Sequence, residues 1–477
     1  MTRAIAILCL LATTASASER RPNGRTGAQQ RGAASRQMRA FWDVADRHGA
    51  SQPLAGFDFV GVGHLQAAML EQLEATSRAG IPRGRIAMMG KTTSDVPAVI
   101  RDGNRSGFRL LRGVPDLRRP FLNRPRLWAH YDAAPDEYET YDYHPRWVVE
   151  NAIGTPRPGR TYLVMDDGGQ LLEFLNEDPY YSKFASQYRG IETTHSGAER
   201  MRKLVLKFPV INVADSWIKL EHESPVIGHL AANKLMEHRA GLIAAGIDPG
   251  RVVLQRGYGK TGAATAKDLA ARRVRGGRAP FEIIATDLRD DALDRAVADG
   301  FDAYDELDDA LPLADHVISS TGTPTFGPRQ LRLMKDGASV MNAASGTREI
   351  DYDDTMLRGP LYVDRRGHAI GGFQGRAYDL GPALPVVLQD RVLQVGGGKQ
   401  VLLKRGGAVF TFDRDGDPIP PRYFQVTPGA RYLGTLQAAK ETRPGLWDLK
   451  LKPQEDLYRR IQAQLAETGE DLDHPTF

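Results

Sequence analysis

The chain has 477 residues, 41% hydrophobic and 26% charged, with a formal net charge of +4. That length supports two or three domains with proper cores, and the composition is that of a globular protein. Basic residues are spread without a dense block interleaved with aromatics, which argues against a nucleic-acid partner. The one cysteine, Cys9, excludes a disulfide framework and a cysteine-built metal site, and the histidines lack ligand spacing, so no metal is expected.

Arg3 precedes an apolar run, Ala4 to Ala12, and Ala15-Ser-Ala17 follows with small residues at cleavage spacing. Residues 1–17 read as a secretory leader, too short for a stable transmembrane anchor, which predicts a secreted or periplasmic chain. A start near Met38 is the alternative and gives a cytoplasmic one. No other run is long enough to span a bilayer. Residues 18–37 are polar and rich in Arg, Gly, Ser and Gln, and a flexible linker is expected over 18–50.

From about residue 54 the pattern becomes α/β. Phe57 to Val62 reads as a strand ending at Gly61-Val-Gly63-His64, with a helix after it through Ala79 and Gly80 placed to end it. Residues 101–150, rich in Arg, Pro, Tyr and Trp, show no clear period and read as an irregular insertion. Tyr162 to Met165 and Phe208 to Val213 read as strands, and 225–247 as one long helix. Next comes Arg251-Val-Val-Leu-Gln-Arg-Gly257-Tyr258-Gly259-Lys260-Thr261-Gly262, an apolar run closed by glycines at the spacing G-x-G-x-x-G. A helix former (Ala263 to Ala271), a strand (Phe281 to Thr286) and Asp287 follow in series.

That order is what a dinucleotide site requires. Gly257 permits the tight turn, Gly259 lets backbone approach a pyrophosphate, and Gly262 allows close helix packing. The helix N-terminus offers unpaired N–H groups and the positive end of its dipole. An acid at the tip of the second strand suits two ribose hydroxyls, which favours NAD over NADP. Beyond it come a helix (Asp291 to Ala298), a strand (His316 to Ser320) running into Thr321-Gly322, and a strand (Ala338 to Asn342). Residues 391–412 read as hairpins, and Gln454 to Ala466 as a last helix.

Three segments carry a family resemblance: Met165-Asp-Asp167-Gly-Gly169, Gly190-Ile-Glu192-Thr193-Thr194, and Ile211-Asn-Val-Ala-Asp215-Ser216-Trp-Ile-Lys219. They resemble S-adenosylhomocysteine hydrolase, in the same order and before the same kind of glycine triplet. Asn342 with Glu349-Ile350-Asp351 is similar to another of its segments. The resemblance, over about 54 to 450, implies an α/β fold with a Rossmann-type NAD-binding domain inserted in a second α/β substrate domain, plus a short C-terminal helix. The expected divisions are 51–224 for the substrate domain, 225–415 for the NAD domain, and 416–477 for the return to the substrate domain.

The chemistry implied is redox-assisted elimination. NAD oxidises a ribose 3′-hydroxyl, which acidifies the neighbouring 4′ hydrogen; the thiol leaves, water adds, and the ketone is reduced. The resemblance makes His64 an acid–base group, Asp167 and Glu192 substrate carboxylates, and Lys219 the group handling the 3′-hydroxyl proton, with Glu223 as its partner. It places Thr193 and Thr194 against the nicotinamide, and Gly257, Tyr258, Gly259, Lys260, Thr261, Gly262, Asp287, Thr321, Gly322 and Asn342 around the cofactor. A small nucleoside-like or sugar-like substrate and a homo-oligomer are implied; neither a membrane nor a nucleic-acid partner is. Departures accompany the likeness. Ser345 and Asp417 stand where the family has histidines, and Ser224 where it has an asparagine. Gln66 and Ala68 stand where a threonine and a glutamate recognise adenosine, and Phe410 where an asparagine reaches NAD.

Overall fold

Short, fully apolar strand cores followed by helix formers build parallel sheets, because each crossover helix must cover a face that the strand leaves apolar. The computed structural model describes residues 34–91, 94–111, 145–274, 277–322, 326–344, 349–352, 354–382, 389–412 and 418–477. In chain order, α1 (Arg39–Gly49) precedes β1 (Phe57–Gly63), α2 (Ala67–Arg78), β2 (Ile86–Gly90), α3 (Pro97–Arg105) and β3 (Arg109–Leu111). Then come β4 (Thr161–Asp166), α4 (Gln170–Glu177), β5 (Tyr188–Glu192), α5 (His195–Arg202) and β6 (Pro209–Asn212). These strands form one parallel sheet in the order β6-β5-β4-β1-β2-β3. The order reverses between β1 and β4, and such a switch point opens a crevice at the carboxyl ends of the strands.

A π-helical turn (Ile218–Glu223) runs into α6 (Ser224–Ala244), where Pro225 fits the first turn because its missing N–H has no intrahelical partner there. β7 (Val252–Arg256), α7 (Lys260–Ala271), β8 (Glu282–Thr286), α8 (Asp290–Ala298), β9 (Asp302–Tyr304), β10 (His316–Ser319) and β11 (Ser339–Asn342) follow. β12 (Leu357–Arg358) precedes β13 (Tyr362–Val363), β14 (His368–Phe373) and β15 (Arg376–Pro382), which form a separate antiparallel sheet. The hairpin of β16 (Arg391–Gln394) and β17 (Gln400–Leu403) completes a second large sheet, ordered β12-β16-β17-β11-β10-β7-β8-β9. Its switch point lies between β7 and β10.

The chain then returns. α9 (Val426–Ala438) packs on α2, β5 and β6, β18 (Gly445–Asp448) adds to the first sheet beside β6, and α10 (Leu451–Ala466) packs on α1. The fold is thus α/β, with a Rossmann-type unit set within the chain span of a second α/β unit and a helix at the C-terminal side. Among the described residues, no helix is long and apolar enough to cross a membrane.

Three sequence expectations change. The stretch assigned to a linker becomes helical from residue 34, and α1 buries Ala40, Phe41, Val44 and Ala45. Residues 101–111 hold the end of α3 and all of β3, so this part of the expected irregular insertion is regular; 112–144 lie outside the described residues, as does the leader. Within 391–412 a single hairpin spans residues 391–403, after which Lys404–Gly407 is a tight turn with Arg405 at φ +50.

Candidate functional site

The glycine triplet sits at the second switch point. Gly257 follows β7 at φ +84, in the left-handed region, and its N–H donates to the Thr286 carbonyl at 2.8 Å. A Cβ on Gly257 would lie 3.0 Å from Thr321 Cγ2, so the loop after β10 closes over the turn. A Cβ on Gly262 would lie 1.9 Å from the Gly257 carbonyl oxygen, which only hydrogen permits. A Cβ on Gly259 would meet nothing within 4 Å. The backbone there faces open space at the start of α7, as a pyrophosphate requires.

Asp287, at the tip of β8, accepts from the Tyr258 N–H at 2.6 Å and the Arg289 N–H at 3.0 Å. The Tyr258 ring is buried, its hydroxyl donating to Asp299 at 2.8 Å, so at this turn Tyr258 offers backbone rather than side chain. Lys260 Nζ pairs with Glu221 of the π-helical turn at 2.8 Å, and the Thr261 carbonyl accepts from Thr265. Gly322 N–H donates to buried Glu349. Asn342 spends its amide on backbone, donating to Gly407 O at 3.0 Å and accepting from Ala344 N–H at 2.9 Å. Sequence reasoning missed buried Arg256, which donates to Ser319 Oγ at 3.2 Å. Burial lowers its pKa against the opposing pull of Glu349 and Asp287. An arginine closing a buried strand just before the glycine turn was the available signal.

The first switch point gathers the other candidates. His64 follows β1 and Asp167 follows β4, with His64 Nε2 3.8 Å from Asp167 Oδ2. His64 Nδ1 hydrogen-bonds Ser94 Oγ, and its ring stacks on Phe412 at 4.3 Å between centroids. The two aspartates of the turn divide their work. Asp166 accepts from the N–H groups of Asp167, Leu171 and Leu172, so it caps α4. Asp167 accepts from Lys91 Nζ at 2.8 Å and Arg431 Nη2 at 2.9 Å, all three side chains being buried. Burial would raise the Asp167 pKa, but Lys91, His64 and Arg431 together hold it well below the usual carboxylate range. Lys91 and Arg431 were not anticipated; they are 76 and 264 residues from Asp167, with no local motif to mark them.

Glu192 ends β5 with the opposite electrostatics. Burial, then the Asp166 charge, push its pKa well above the ordinary value. Its Oε1 accepts from Thr194 N–H and Oγ1, each at 2.8 Å, whereas buried Oε2 has no partner among the described residues. Asp167, with its pKa held low, and Glu192, with its pKa raised, therefore stand near neighbouring strand ends. Thr193 Oγ1 donates to Asp166 O at 3.0 Å, and Thr194 Oγ1 caps α5 by accepting from Gly197 N–H, so both hydroxyls hold local structure. Lys219 Nζ lies 2.9 Å from Glu223 Oε2 and donates to Thr193 O at 3.2 Å. Glu223 Oε1 in turn accepts from Thr427 Oγ1.

The two switch points meet. The Lys260–Glu221 pair joins the glycine turn to the segment carrying Lys219 and Glu223, and a Cβ on Gly322 would lie 3.9 Å from Ser196 Cβ. Of the departures, Ser224 Oγ donates to Lys219 O at 3.3 Å, and Gln66, Ala68 and Phe410 are buried. Ser345 and Asp417 lie outside the described residues. Among the described residues, no group of three or more His, Cys, Asp or Glu side chains is arranged to hold a metal.

No protein-family model matches the chain. An adenosylhomocysteinase from Archaeoglobus fulgidus is 32% identical over 196 residues, 40% of this chain and 45% of that one. Another, from Sulfolobus acidocaldarius, is 25% identical over 327 residues, covering 66% of each. These matches support reading the chain as a divergent, adenosylhomocysteinase-like protein. An uncharacterized protein of Mycobacterium tuberculosis is also similar, 25% identical over 312 residues, 64% of this chain and 53% of that one. The chain spans about half the length of the first of these curated relatives it matches. Among solved structures, a dipicolinate synthase chain from Bacillus halodurans aligns over 62% of this chain and 85% of its own, at 13% identity and a TM-score of 0.31.

Proposed function

We propose that this chain binds NAD and uses it to oxidise a ribose or sugar hydroxyl reversibly, in the service of elimination or hydrolysis at a nucleoside thioether or a related substrate. The observation that carries the reading is Lys219, held between Glu223 and the Thr193 carbonyl, on a segment tied to the glycine turn through Glu221 and Lys260. The open face at Gly259 fits a pyrophosphate, and Asp287 fits a ribose diol.

When bound, NAD would supply a hydride acceptor for the carbinol carbon. The chain's residues manage the protons and the orientation. Lys219 handles the hydroxyl proton as the carbon is oxidised, and Glu223 orients its amine. Buried Glu192 presents its unpartnered Oε2 to a substrate hydroxyl. His64 moves a proton at the leaving group, with its Nδ1 side fixed by Ser94 and its ring by Phe412. Ionised Asp167 faces it and stabilises its charged form.

Two measurements test this. Mass spectrometry of small molecules released from the denatured protein should find NAD. Substrate added to the NAD-bound chain should raise absorbance in the NADH band, and Lys219→Ala should abolish the rise. A second reading, a non-catalytic NAD-binding sensor or scaffold, is favoured by the locking of Asp167 between two buried cations. Turnover that depends on Lys219 sinks it. The small-molecule substrate and a homo-oligomer belong to the proposal, and so does export. N-terminal sequencing of the secreted chain should begin after Ala17; a chain retained in the cell sinks that part.

A further inference from the structure

At the ribose end of the glycine cradle, the acid does not stand alone. Asp287 lies at the tip of β8, and both of its carboxylate oxygens are engaged. Oδ2 accepts from the Tyr258 N–H at 2.6 Å, and Oδ1 from the Arg289 N–H at 3.0 Å. The Arg289 side chain folds back towards the same atom, with Nε 3.5 Å from Oδ1. That side chain is 58% exposed and makes no other ion pair among the described residues. Its terminal N–H groups meet no acceptor among them. Leu288, between the two, is 86% exposed, and it offers an apolar face to an adenine whose ribose Asp287 holds.

A bare carboxylate at this tip selects against a 2′-phosphate, because two anions would meet at hydrogen-bond distance. Here the carboxylate is shielded. Two backbone N–H groups and a guanidinium share its charge, and the guanidinium keeps its planar fork free for phosphate oxygens, the geometry in which arginine binds phosphate best. The start of α8 sets the limit. Asp290 and Asp291 follow directly, and although Asp291 is paired with Arg295, Asp290 has no ion pair among the described residues. The balance of charge admits a phosphate without requiring one.

We infer that Arg289 is a cofactor-specificity residue, binding a ribose 2′-phosphate beside Asp287 so that the cradle takes NADP as well as NAD, an assignment that rests on the dinucleotide reading of the glycine turn. Asp287 holds the diol of NAD, and Arg289 takes the phosphate of NADP.

The test is competitive equilibrium dialysis. The full chain, as purified, is dialysed against equal concentrations of NAD and NADP until its composition is constant. The excess of each nucleotide over the dialysate is then read by mass spectrometry after denaturation. The parent should retain both, within about tenfold of each other. Arg289→Ala should lower the NADP-to-NAD ratio about tenfold or more, the value of a lost charge-assisted hydrogen bond, and Arg289→Lys should restore part of it. Asp287→Asn should raise the ratio. NADP lagging NAD by more than about tenfold in the parent overturns the proposal and leaves the NAD reading standing. A ratio that Arg289→Ala does not move has the same meaning. A parent that retains neither nucleotide overturns the cofactor reading itself, and the role of Arg289 with it.

Discussion

Three glycines in one motif carry three separable physical demands, and substitutions can tell them apart. Gly262→Ala drives a methyl onto the Gly257 carbonyl, a backbone atom that cannot swing away. Overpacking of this kind costs about 1–3 kcal/mol, so both stability and NAD binding should fall. Gly259→Ala meets open space at φ −72, an ordinary conformation for alanine. Its stability should stay within about 0.5 kcal/mol of the parent. Its NAD affinity should nonetheless fall by roughly tenfold or more, because the methyl occupies ground the pyrophosphate needs. Denaturant unfolding without cofactor, paired with NAD titration, checks both. The two acids divide in the same way. Asp167→Asn leaves two buried cations short of an anion and should cost about 3–5 kcal/mol. Glu192→Gln replaces a carboxyl whose burial disfavours its charge with a neutral group of similar shape and should cost under about 1 kcal/mol. Comparable losses from the two acids would refute their opposite electrostatics.

Elements were legible where one local signal sufficed. β1, β4, β7 and β8 are apolar runs that stop at Gly or Asp, and each begins and ends within a residue or two of its expectation. Two kinds of element escaped. α1 lies directly behind a polar, Arg-rich stretch, and its few buried apolar residues do not outweigh that composition. β14 carries Gly371 and Gly372, which break the period-2 pattern; Gly371 is small because Leu380 of β15 packs over it, a Cβ there lying 2.6 Å from Leu380 Cδ1. The site divides along the same line. Asp167, Glu192 and Lys219 sit in short motifs, whereas Lys91 and Arg431 reach Asp167 only through the strand order and the return of α9. The status of α1 can be measured. Phe41 is fully buried, contacts the Tyr432 ring at 6.1 Å between centroids, and its N–H donates to Gln425. Phe41→Ala should cost about 3–5 kcal/mol, as for a core aromatic; a linker residue would cost nothing measurable.

At the scale of the molecule, buried titratable groups set opposing slopes of stability against pH. His238, on α6, bonds Ser339 Oγ at 2.9 Å and the Tyr378 hydroxyl at 3.3 Å, joining the small antiparallel sheet to the Rossmann-type unit. His316 packs against it at 5.7 Å between ring centroids. Burial pushes both histidines below the ordinary 6.5, His316 to about 4. Each favours the neutral form in the fold while the unfolded chain takes a proton, so its contribution is complete above pH 6.5 and is lost as pH falls, for His316 towards 4. At about 1.4 kcal/mol per pH unit, His316 alone accounts for roughly 3 kcal/mol across that window. Glu192 and Glu349 act in the other direction. Their raised pKa values stabilise the fold at low pH, and that contribution is lost as pH rises above 4.5, where the unfolded carboxyls ionise. Above pH 4.5 the two kinds of group therefore act against each other in the parent. Subtraction exposes the histidine term. The difference in unfolding free energy between the parent and His316→Leu should be constant above pH 6.5 and shift by roughly 3 kcal/mol towards the variant by pH 4. A difference that stays level across that range means that His316 titrates alike in the folded and unfolded chains, and the burial argument for it fails.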